Sequence, residues 1–188
     1  MDIDIVIREA DMAALHSLLK TQGYQDGPAR ELHVLYGERF QRLERTVAGY
    51  PASVDVLVNG LVARATNASW SFPFLQEHSA IRAVEGIAFP VPERELLIAT
   101  KIHSARLSDV RDIAALAPGA DVDRVVTYAR RGDRAAVGEV LRREIAFAEH
   151  RNFIDGFKGV FGAQAFAPAL VPATVALLRG VLQALMKA

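Results

Sequence analysis

The sequence predicts an α+β protein in which a strand-rich unit, residues 1–91, precedes a helical unit, residues 92–188. Three observations support this prediction. Short runs with period-2 alternation dominate the first half, apolar residues at helical spacing dominate the second, and the pattern changes at Pro92. A hydrophobic fraction of 51% and a mean hydropathy of +0.15 are typical of a folded chain with a sizeable core.

Composition excludes several classes of function. The 22 basic and 22 acidic residues cancel, so no overall field attracts the chain to nucleic acid or to an anionic membrane. The absence of cysteine excludes disulfides, thiolate metal sites and cysteine nucleophiles, and it fits a cytoplasmic protein. Residues 159–178 carry no charge but include Pro168 and Pro172, so we expect a turn-rich segment and a packed helix there, and no membrane span.

The N-terminal unit is predicted to alternate strands with one helix. Asp2–Ile7 reads DIDIVI, a period-2 run, and Glu9–Gln22 has helical spacing that ends at Gly23. The further predicted strands are Glu31–Tyr36, Arg39–Arg45, Ser53–Val58 and Ile81–Val91. A helix is the alternative for Arg39–Arg45, and residues 61–76 give mixed signals.

Successive helical patterns in residues 92–188 predict a C-terminal helical bundle. The predicted helices are Pro92–Ala105, Ser108–Leu116, Asp121–Arg130, Arg134–His150 and a last one from Pro172 onward. In Arg134–His150, Val137, Leu141 and Ile145 recur at i+4 and form one buried face. The arginines of this region are interleaved with acids, which is typical of a solvated helix face and does not favour a nucleic-acid interface.

Three aspartates in strand-like runs form the candidate site. Asp2 and Asp4 lie two apart on one predicted strand and therefore share a face, while the isoleucines between and after them face the core. Asp55 lies within the apolar run VDVLV, where an unpartnered carboxylate would be costly. Converging carboxylates of this kind suit a site for two magnesium ions. The alternative is that these are strand-edge aspartates with no metal role.

Two sequence blocks in this order resemble the AbiEii-like nucleotidyltransferases, many of which are toxins of toxin–antitoxin systems. The first block is the DIDIVI run, the amphipathic helix ending at Gly23-Tyr24 and the VDVLV strand. The second is Val91–Lys101, VPERELLIATK, followed by Arg106–Ile113, RLSDVRDI. The resemblance covers residues 1–117 and implies a minimal nucleotidyltransferase fold, a mixed sheet with flanking helices, followed by the helical bundle.

The resemblance assigns Asp2, Asp4 and Asp55 as catalytic metal ligands for two Mg²⁺ ions, with Asp55 also activating the acceptor hydroxyl. It implies transfer of a nucleoside monophosphate from an NTP to a hydroxyl on RNA (a tRNA among the candidates), on a protein or on a small molecule. An antitoxin is the macromolecular partner that a toxin of this type would have. A homo-oligomer is also compatible with the sequence.

The second block supplies the residues that the resemblance assigns to nucleotide binding. Lys101 matches a lysine that contacts the phosphates, and Asp109 and Asp112 match a second acidic pair. With Ser108 as N-cap, these two aspartates would lie on one helix face at i and i+3. The alternative is ordinary helix capping together with a surface ion pair to Arg106 or Lys101.

One feature of the family has no counterpart in this sequence. The family has a Gly-Gly or Gly-Ser turn about ten residues before the D-x-D strand, where backbone N–H groups hold the triphosphate. Here Asp2 directly follows Met1, so we expect a nucleotidyltransferase-like core that is truncated at its N-terminus. The alternative function is therefore a catalytically inactive nucleotidyltransferase-fold protein with a binding or regulatory role.

Overall fold

The computed structural model describes residues 2–27 and 40–187, and the Asp2 side chain lies outside that description. The predicted strand Glu31–Tyr36 also lies outside the described residues. The α+β class and the mixed sheet predicted from the sequence are both confirmed.

The chain divides into two compact units. The first is Met1–Val62 with Ser69–Glu77, and the second is Ala63–Ala68 with His78–Ala188. The boundary expected between residues 91 and 92 therefore lies inside the second unit, because residues 78–91 group with the helices that follow them.

Strands occupy most of the first unit. The strands of the described chain are β1 (Asp2–Ile7), β2 (Gln25–Asp26), β3 (Phe40–Val47), β4 (Tyr50–Val58), β5 (Gly60–Ala63), β6 (Ala68–Ser71), β7 (Ser79–Val84) and β8 (Ile87–Pro92), of which β7 and β8 belong to the second unit. The main sheet has the order β1-β4-β3-β2, in which β1 runs parallel to β4 while β3 is antiparallel to both β4 and β2. Strands β5 and β6 form one two-stranded sheet, and β7 and β8 form another.

Hairpin turns decide the outcome of two strand predictions. The helix alternative for Arg39–Arg45 is wrong for residues 40–45, which the structure describes, because they lie in β3 and pair with β4 across a turn at Ala48-Gly49. The single strand predicted for Ile81–Val91 is also wrong, since Glu85 and Gly86 have φ values of 52° and 82° and reverse the chain between β7 and β8. Two successive positive φ values are typical of the tight turns that join hairpin strands.

Helices account for most of the second unit. Across the described chain they are α1 (Met12–Thr21), α2 (Phe72–Glu77), α3 (Arg94–Ser104), α4 (Asp109–Leu116), α5 (Val122–Ala129), α6 (Arg134–Ala148), α7 (Arg151–Phe161) and α8 (Leu170–Lys187). Short 3-10 turns occupy Glu9–Asp11 and Ala163–Ala165. The five helices predicted after residue 91 are confirmed as α3, α4, α5, α6 and α8, each starting and ending within two residues of any predicted bound.

Helix α7 is absent from the sequence prediction. Gly156 and Gly159 lie within it, and each glycine costs about 1 kcal/mol relative to alanine in a helix interior. Phe153 and Phe157, one turn apart, are both buried and offset that cost. The His150 ring caps the first turn by accepting a hydrogen bond of 3.2 Å from the Asn152 N–H.

The core of the first unit lies between α1 and one face of the main sheet. Its buried residues are Tyr24, Leu43, Val54 and Val56, with Ile5, Ile7, Met12, Leu15 and Leu19 packed against them. The predicted inward orientation of the β1 isoleucines is confirmed for Ile5 and Ile7. Ile3 is 43% exposed, because it lies near the start of an edge strand.

Helix α8 is long and apolar enough, by length and composition, to span a membrane, and it is the one described helix with that property. The core helices of soluble proteins meet the same test. In this fold α8 packs against α4, α5 and α6, and Val175, Leu178, Val181 and Leu185 are buried there.

Candidate functional site

Asp4 and Asp55 lie side by side on neighbouring parallel strands. They are register partners in the pairing of β1 with β4, and Asp2 is the register partner of Ser53. Register partners in a sheet stand about 4.8 Å apart and point to the same face. The backbone therefore brings together two of the three acids that the sequence singles out, on an edge strand and its neighbour.

Arg42 is the main partner of Asp55. It lies opposite Asp55 in the antiparallel pairing of β3 with β4. Its Nε donates to Asp55 Oδ1 and its Nη2 donates to Asp55 Oδ2, each over 2.6 Å. The Asp55 side chain is 13% exposed, so this two-bond contact provides the charge compensation that a carboxylate at a largely buried position needs.

The donor chemistry of this pair fits magnesium. Mg²⁺ is commonly bound through one or two carboxylates, with waters and substrate phosphates completing its shell. Among the side chains that the structure describes, no group of three or more His, Cys, Asp or Glu is arranged to hold a metal ion. Asp4 and Asp55 would therefore be the two protein carboxylates that bind such an ion. Asp2 lies two residues before Asp4 on the same strand.

A second polar cluster lies in the second unit, where α3 ends and α4 begins. Lys101 Nζ lies 2.7 Å from Asp112 Oδ2 and 3.7 Å from Asp109 Oδ1. Arg106 Nε donates to Asp109 Oδ2 over 3.0 Å. The ion pairs that the sequence offered as the alternative to a nucleotide site are thus present, and Lys101 joins the two aspartates.

Asp109 is a buried carboxylate at this helix break, with 4% of its surface exposed. The Ser104 hydroxyl donates to Asp109 Oδ2, and Ala105 adopts a left-handed conformation with φ 59° that ends α3. Ser108 holds the N-cap position of α4 as predicted, yet its side chain makes no capping hydrogen bond among the described contacts. The acidic pair is consequently fixed by side chains of α3 and of the break.

Glu144 on α6 is a buried acid that the sequence prediction did not single out. It is fully buried, and neither carboxylate oxygen has a hydrogen-bond partner among the described residues. Burial raises the pKa of Glu144 well above its ordinary value; nearby Arg143 opposes this rise and Asp109 adds to it. The neutral acid is therefore favoured at this position.

One of the two unforeseen residues, Glu144, has a signal in the sequence. Glu144 lies three residues after Leu141 and seven after Val137, so it falls on the apolar face that helical spacing defines. Arg42 has no such signal, because its position opposite Asp55 depends on where the hairpin turn between β3 and β4 falls.

Comparison of this chain with protein-family models, with curated proteins and with solved structures gives no match.

Proposed function

We propose that this protein is a metal-dependent nucleotidyltransferase that moves a nucleoside monophosphate from an NTP to a hydroxyl acceptor. The observation that supports this best is the register pairing of Asp4 with Asp55 on parallel strands of a mixed sheet. It gives two carboxylates on one face, the arrangement expected from the resemblance to the AbiEii-like family. Membership of that family, with a toxin role and an antitoxin partner, is part of the same proposal.

The chain's own residues would have distinct roles in this reaction. Asp2, Asp4 and Asp55 would hold the Mg²⁺ ions, which when bound would neutralise phosphate charge and favour ionisation of the hydroxyl. Asp55 orients the acceptor hydroxyl and takes its proton. The acceptor oxygen then bonds to the α-phosphorus of the NTP, and the bond from that phosphorus to the leaving pyrophosphate breaks.

The resemblance assigns the nucleotide contacts to Lys101, Asp109 and Asp112. Lys101 pairs with the phosphates, and Asp109 and Asp112 hold its ammonium group in place, as their present distances to Nζ of 3.7 and 2.7 Å allow. Because Asp109 also accepts hydrogen bonds from Ser104 and Arg106, the role proposed for it in nucleotide binding is to position Lys101.

The test is magnesium-dependent incorporation of α-labelled NTPs into added RNA and protein fractions. Asp4→Ala is expected to lower incorporation at least about 100-fold, since even residues that only orient a metal ligand change activity by that order. Asp11→Ala is the matched control, because Asp11 is a half-exposed aspartate of the same unit that pairs with Arg8. Incorporation that survives Asp4→Ala would overturn the site.

A second function is favoured by the Arg42 contact with Asp55. Both oxygens of Asp55 accept hydrogen bonds from the guanidinium, which already supplies the positive charge that a cation would bring. The corresponding function is an inactive nucleotidyltransferase-fold protein that binds a partner. It predicts that no NTP with Mg²⁺ raises the melting temperature, whereas a rise of several degrees would contradict it.

A further inference from the structure

The hairpin of β7 and β8 in the second unit exposes apolar side chains over most of its length. Residues 81–90 are all exposed. The large apolar side chains among them are those of Ile81, Val84, Ile87 and Phe89, which are 69%, 58%, 69% and 39% exposed. Single exposed apolar residues are normal in soluble proteins, whereas a group of them on one element is typical of a protein–protein interface.

Contacts with α5 fix the base of this hairpin. The Tyr128 hydroxyl donates to Glu93 Oε2 over 3.0 Å, and Glu93 directly follows β8. The same hydroxyl lies 3.2 Å from Nδ1 of His78, which directly precedes β7, and the rings of these two residues lie 5.1 Å apart. An isolated two-stranded hairpin is at best marginally stable in water, so a further strand would stabilise the exposed part.

The hydrogen-bonding pattern of the hairpin leaves the edge of β7 open. The Glu93 N–H donates to the His78 carbonyl oxygen over 2.8 Å, so these residues form a hydrogen-bonded pair. Such pairs alternate along an antiparallel ladder with pairs whose N–H and C=O groups point away from the neighbouring strand. By the register of the hairpin, Ile81 and Ala83 belong to pairs of the second kind. Both residues are exposed, so their outward backbone groups can pair with another strand.

Proline closes the other edge of the hairpin to strand addition. The outward positions of β8 are Ala88, Pro90 and Pro92. The two prolines have no N–H to donate, and proline is a common device that prevents a strand edge from pairing. A further strand therefore adds to β7. Because each hairpin has one open edge, self-association through it ends at two copies.

The exposed charges of the hairpin are complementary to those of a second copy. The side chains of Arg82 and Glu85 are exposed, and neither forms an ion pair or hydrogen bond in the part of the chain that the structure describes. When two β7 strands pair antiparallel about a two-fold axis at Ala83, Arg82 stands opposite Val84 of the second copy and one residue from its Glu85. An axis at Arg82 would place two arginines opposite each other, which is destabilising. The net charge of zero adds no overall repulsion between copies.

We propose that the β7–β8 hairpin is a dimerisation surface, where β7 pairs antiparallel with β7 of a second copy of this chain to form a four-stranded sheet. The pairing satisfies the outward backbone groups of β7 and joins opposite charges twice. A standard interface uses about 20–30 residues a side, so this smaller one gives a weak and reversible dimer. The proposal does not depend on the nucleotidyltransferase activity, because none of the residues assigned to that activity lies in the hairpin.

Sedimentation velocity of the full chain between about 1 μM and about 1 mM measures the association. We expect a monomer–dimer equilibrium with dissociation in the micromolar range and no larger species. A monomer throughout this range would overturn the proposal. Larger oligomers would overturn it too, because they need a second open edge on each hairpin.

Charge reversal tests the register. Arg82→Glu and Glu85→Arg are each expected to weaken the dimer about tenfold, because two attractive contacts per dimer become repulsive. An equimolar mixture of the two variants is expected to dimerise like the wild type, since every contact then joins opposite charges, and misfolding would not produce this recovery. Arg151→Glu is the matched control, because Arg151 is an exposed arginine of α7 in the same unit. No recovery in the mixture, or equal weakening in Arg151→Glu, would contradict the proposal.

Proline substitution tests which edge pairs. Ala83→Pro removes an outward N–H from β7 and is expected to abolish the dimer, while the hydrogen bonds within the hairpin are kept. Ala88→Pro makes the same change on the edge of β8 and is expected to leave dimerisation unchanged. Equal behaviour of these two variants would overturn the pairing through β7. Hydrogen exchange at monomer concentrations is the last check, because slow exchange at Ile81 and Ala83 would show that another part of the same chain covers this edge, which also overturns the proposal.

Discussion

Arg42 and Asp55 face each other across β3 and β4 and are joined by two parallel hydrogen bonds of 2.6 Å each. The same carboxylate stands beside Asp4 on the next strand. Asp55 is therefore shared between a structural ion pair and the candidate metal site. The two proposed functions differ in the partner of Asp55, which is a metal ion in the enzyme and Arg42 in the inactive binding protein.

Arg42→Met is expected to lower the free energy of unfolding by about 1–3 kcal/mol, because it leaves a largely buried carboxylate unpaired and next to a second one. Urea denaturation measures the change. The double variant Arg42→Met/Asp55→Leu is expected to recover part of the loss, since no unpaired charge remains.

The control for this cycle is Arg8→Met. Arg8 pairs with Asp11 over 2.8 Å, but both side chains are about half exposed, at 64% and 46%. Water screens such a pair, so its loss is expected to cost less than about 1 kcal/mol. An equal loss at Arg8 and Arg42 would show that the burial of Asp55 carries no special cost.

Arg42→Gln is expected to raise the affinity for Mg²⁺ at least about tenfold if Asp4 and Asp55 form a cation site. The substitution removes a competing positive charge and releases both oxygens of Asp55. Isothermal titration with MgCl₂ measures it. Lys20→Gln is the matched control, because Lys20 is a cation of the same unit that pairs with Asp26. Equal Mg²⁺ affinity in the wild type and in Arg42→Gln would count against a metal at Asp55.

Much of the site's framework could be predicted from local patterns. Period-2 alternation locates β1 and most of β4, and the side-chain alternation within β1 gives the inward direction of Ile5 and Ile7. The pairing of Arg42 with Asp55 could not be predicted from the sequence, because it depends on the register of the β3–β4 hairpin. That register is set by a turn in which Ala48 has φ 51°. Alanine rarely adopts this conformation, so the local sequence does not predict the turn.

In the second unit the helices could be predicted from the sequence, but the burial of its polar residues could not. Its helices follow from apolar spacing, whereas the burial of Glu144 depends on which helices meet. A glutamate on an apolar stripe is visible in the sequence, but its burial requires the packing of α6 against its neighbours.

Glu144→Gln is expected to stabilise the protein at pH 8 and to change its stability little near pH 4.5. The folded pKa of Glu144 lies well above 4.5, so the native state binds a proton that the unfolded state releases above that value. Stability is therefore lost as pH rises from 4.5 towards the folded pKa, at about 1.4 kcal/mol per pH unit. Glutamine is neutral at every pH and removes this loss.

Urea denaturation from pH 4.5 to pH 8 measures the difference between the variant and the wild type. Glu139→Gln is the control, since Glu139 lies on the same helix, is 78% exposed and pairs with Arg142. Its difference from the wild type is expected to show no growth with pH. Parallel curves for wild type and Glu144→Gln would mean that Glu144 titrates normally.

Gly132→Ala is expected to destabilise the second unit by more than about 2 kcal/mol. The added Cβ would lie 2.1 Å from the Thr66 carbonyl oxygen and 2.8 Å from the Ala68 nitrogen, and these are backbone atoms that move only with the turn. The left-handed φ of +66° adds about 1 kcal/mol for any residue with a Cβ. Gly49→Ala separates the two causes, because Gly49 has φ +84° but no atom within 4 Å of the added methyl group. Thermal unfolding should therefore show a small loss of stability at position 49 and a larger one at position 132, where the loop between α5 and α6 packs on Thr66. Equal losses at the two glycines would mean that the loop yields to the methyl group and is not held by Thr66.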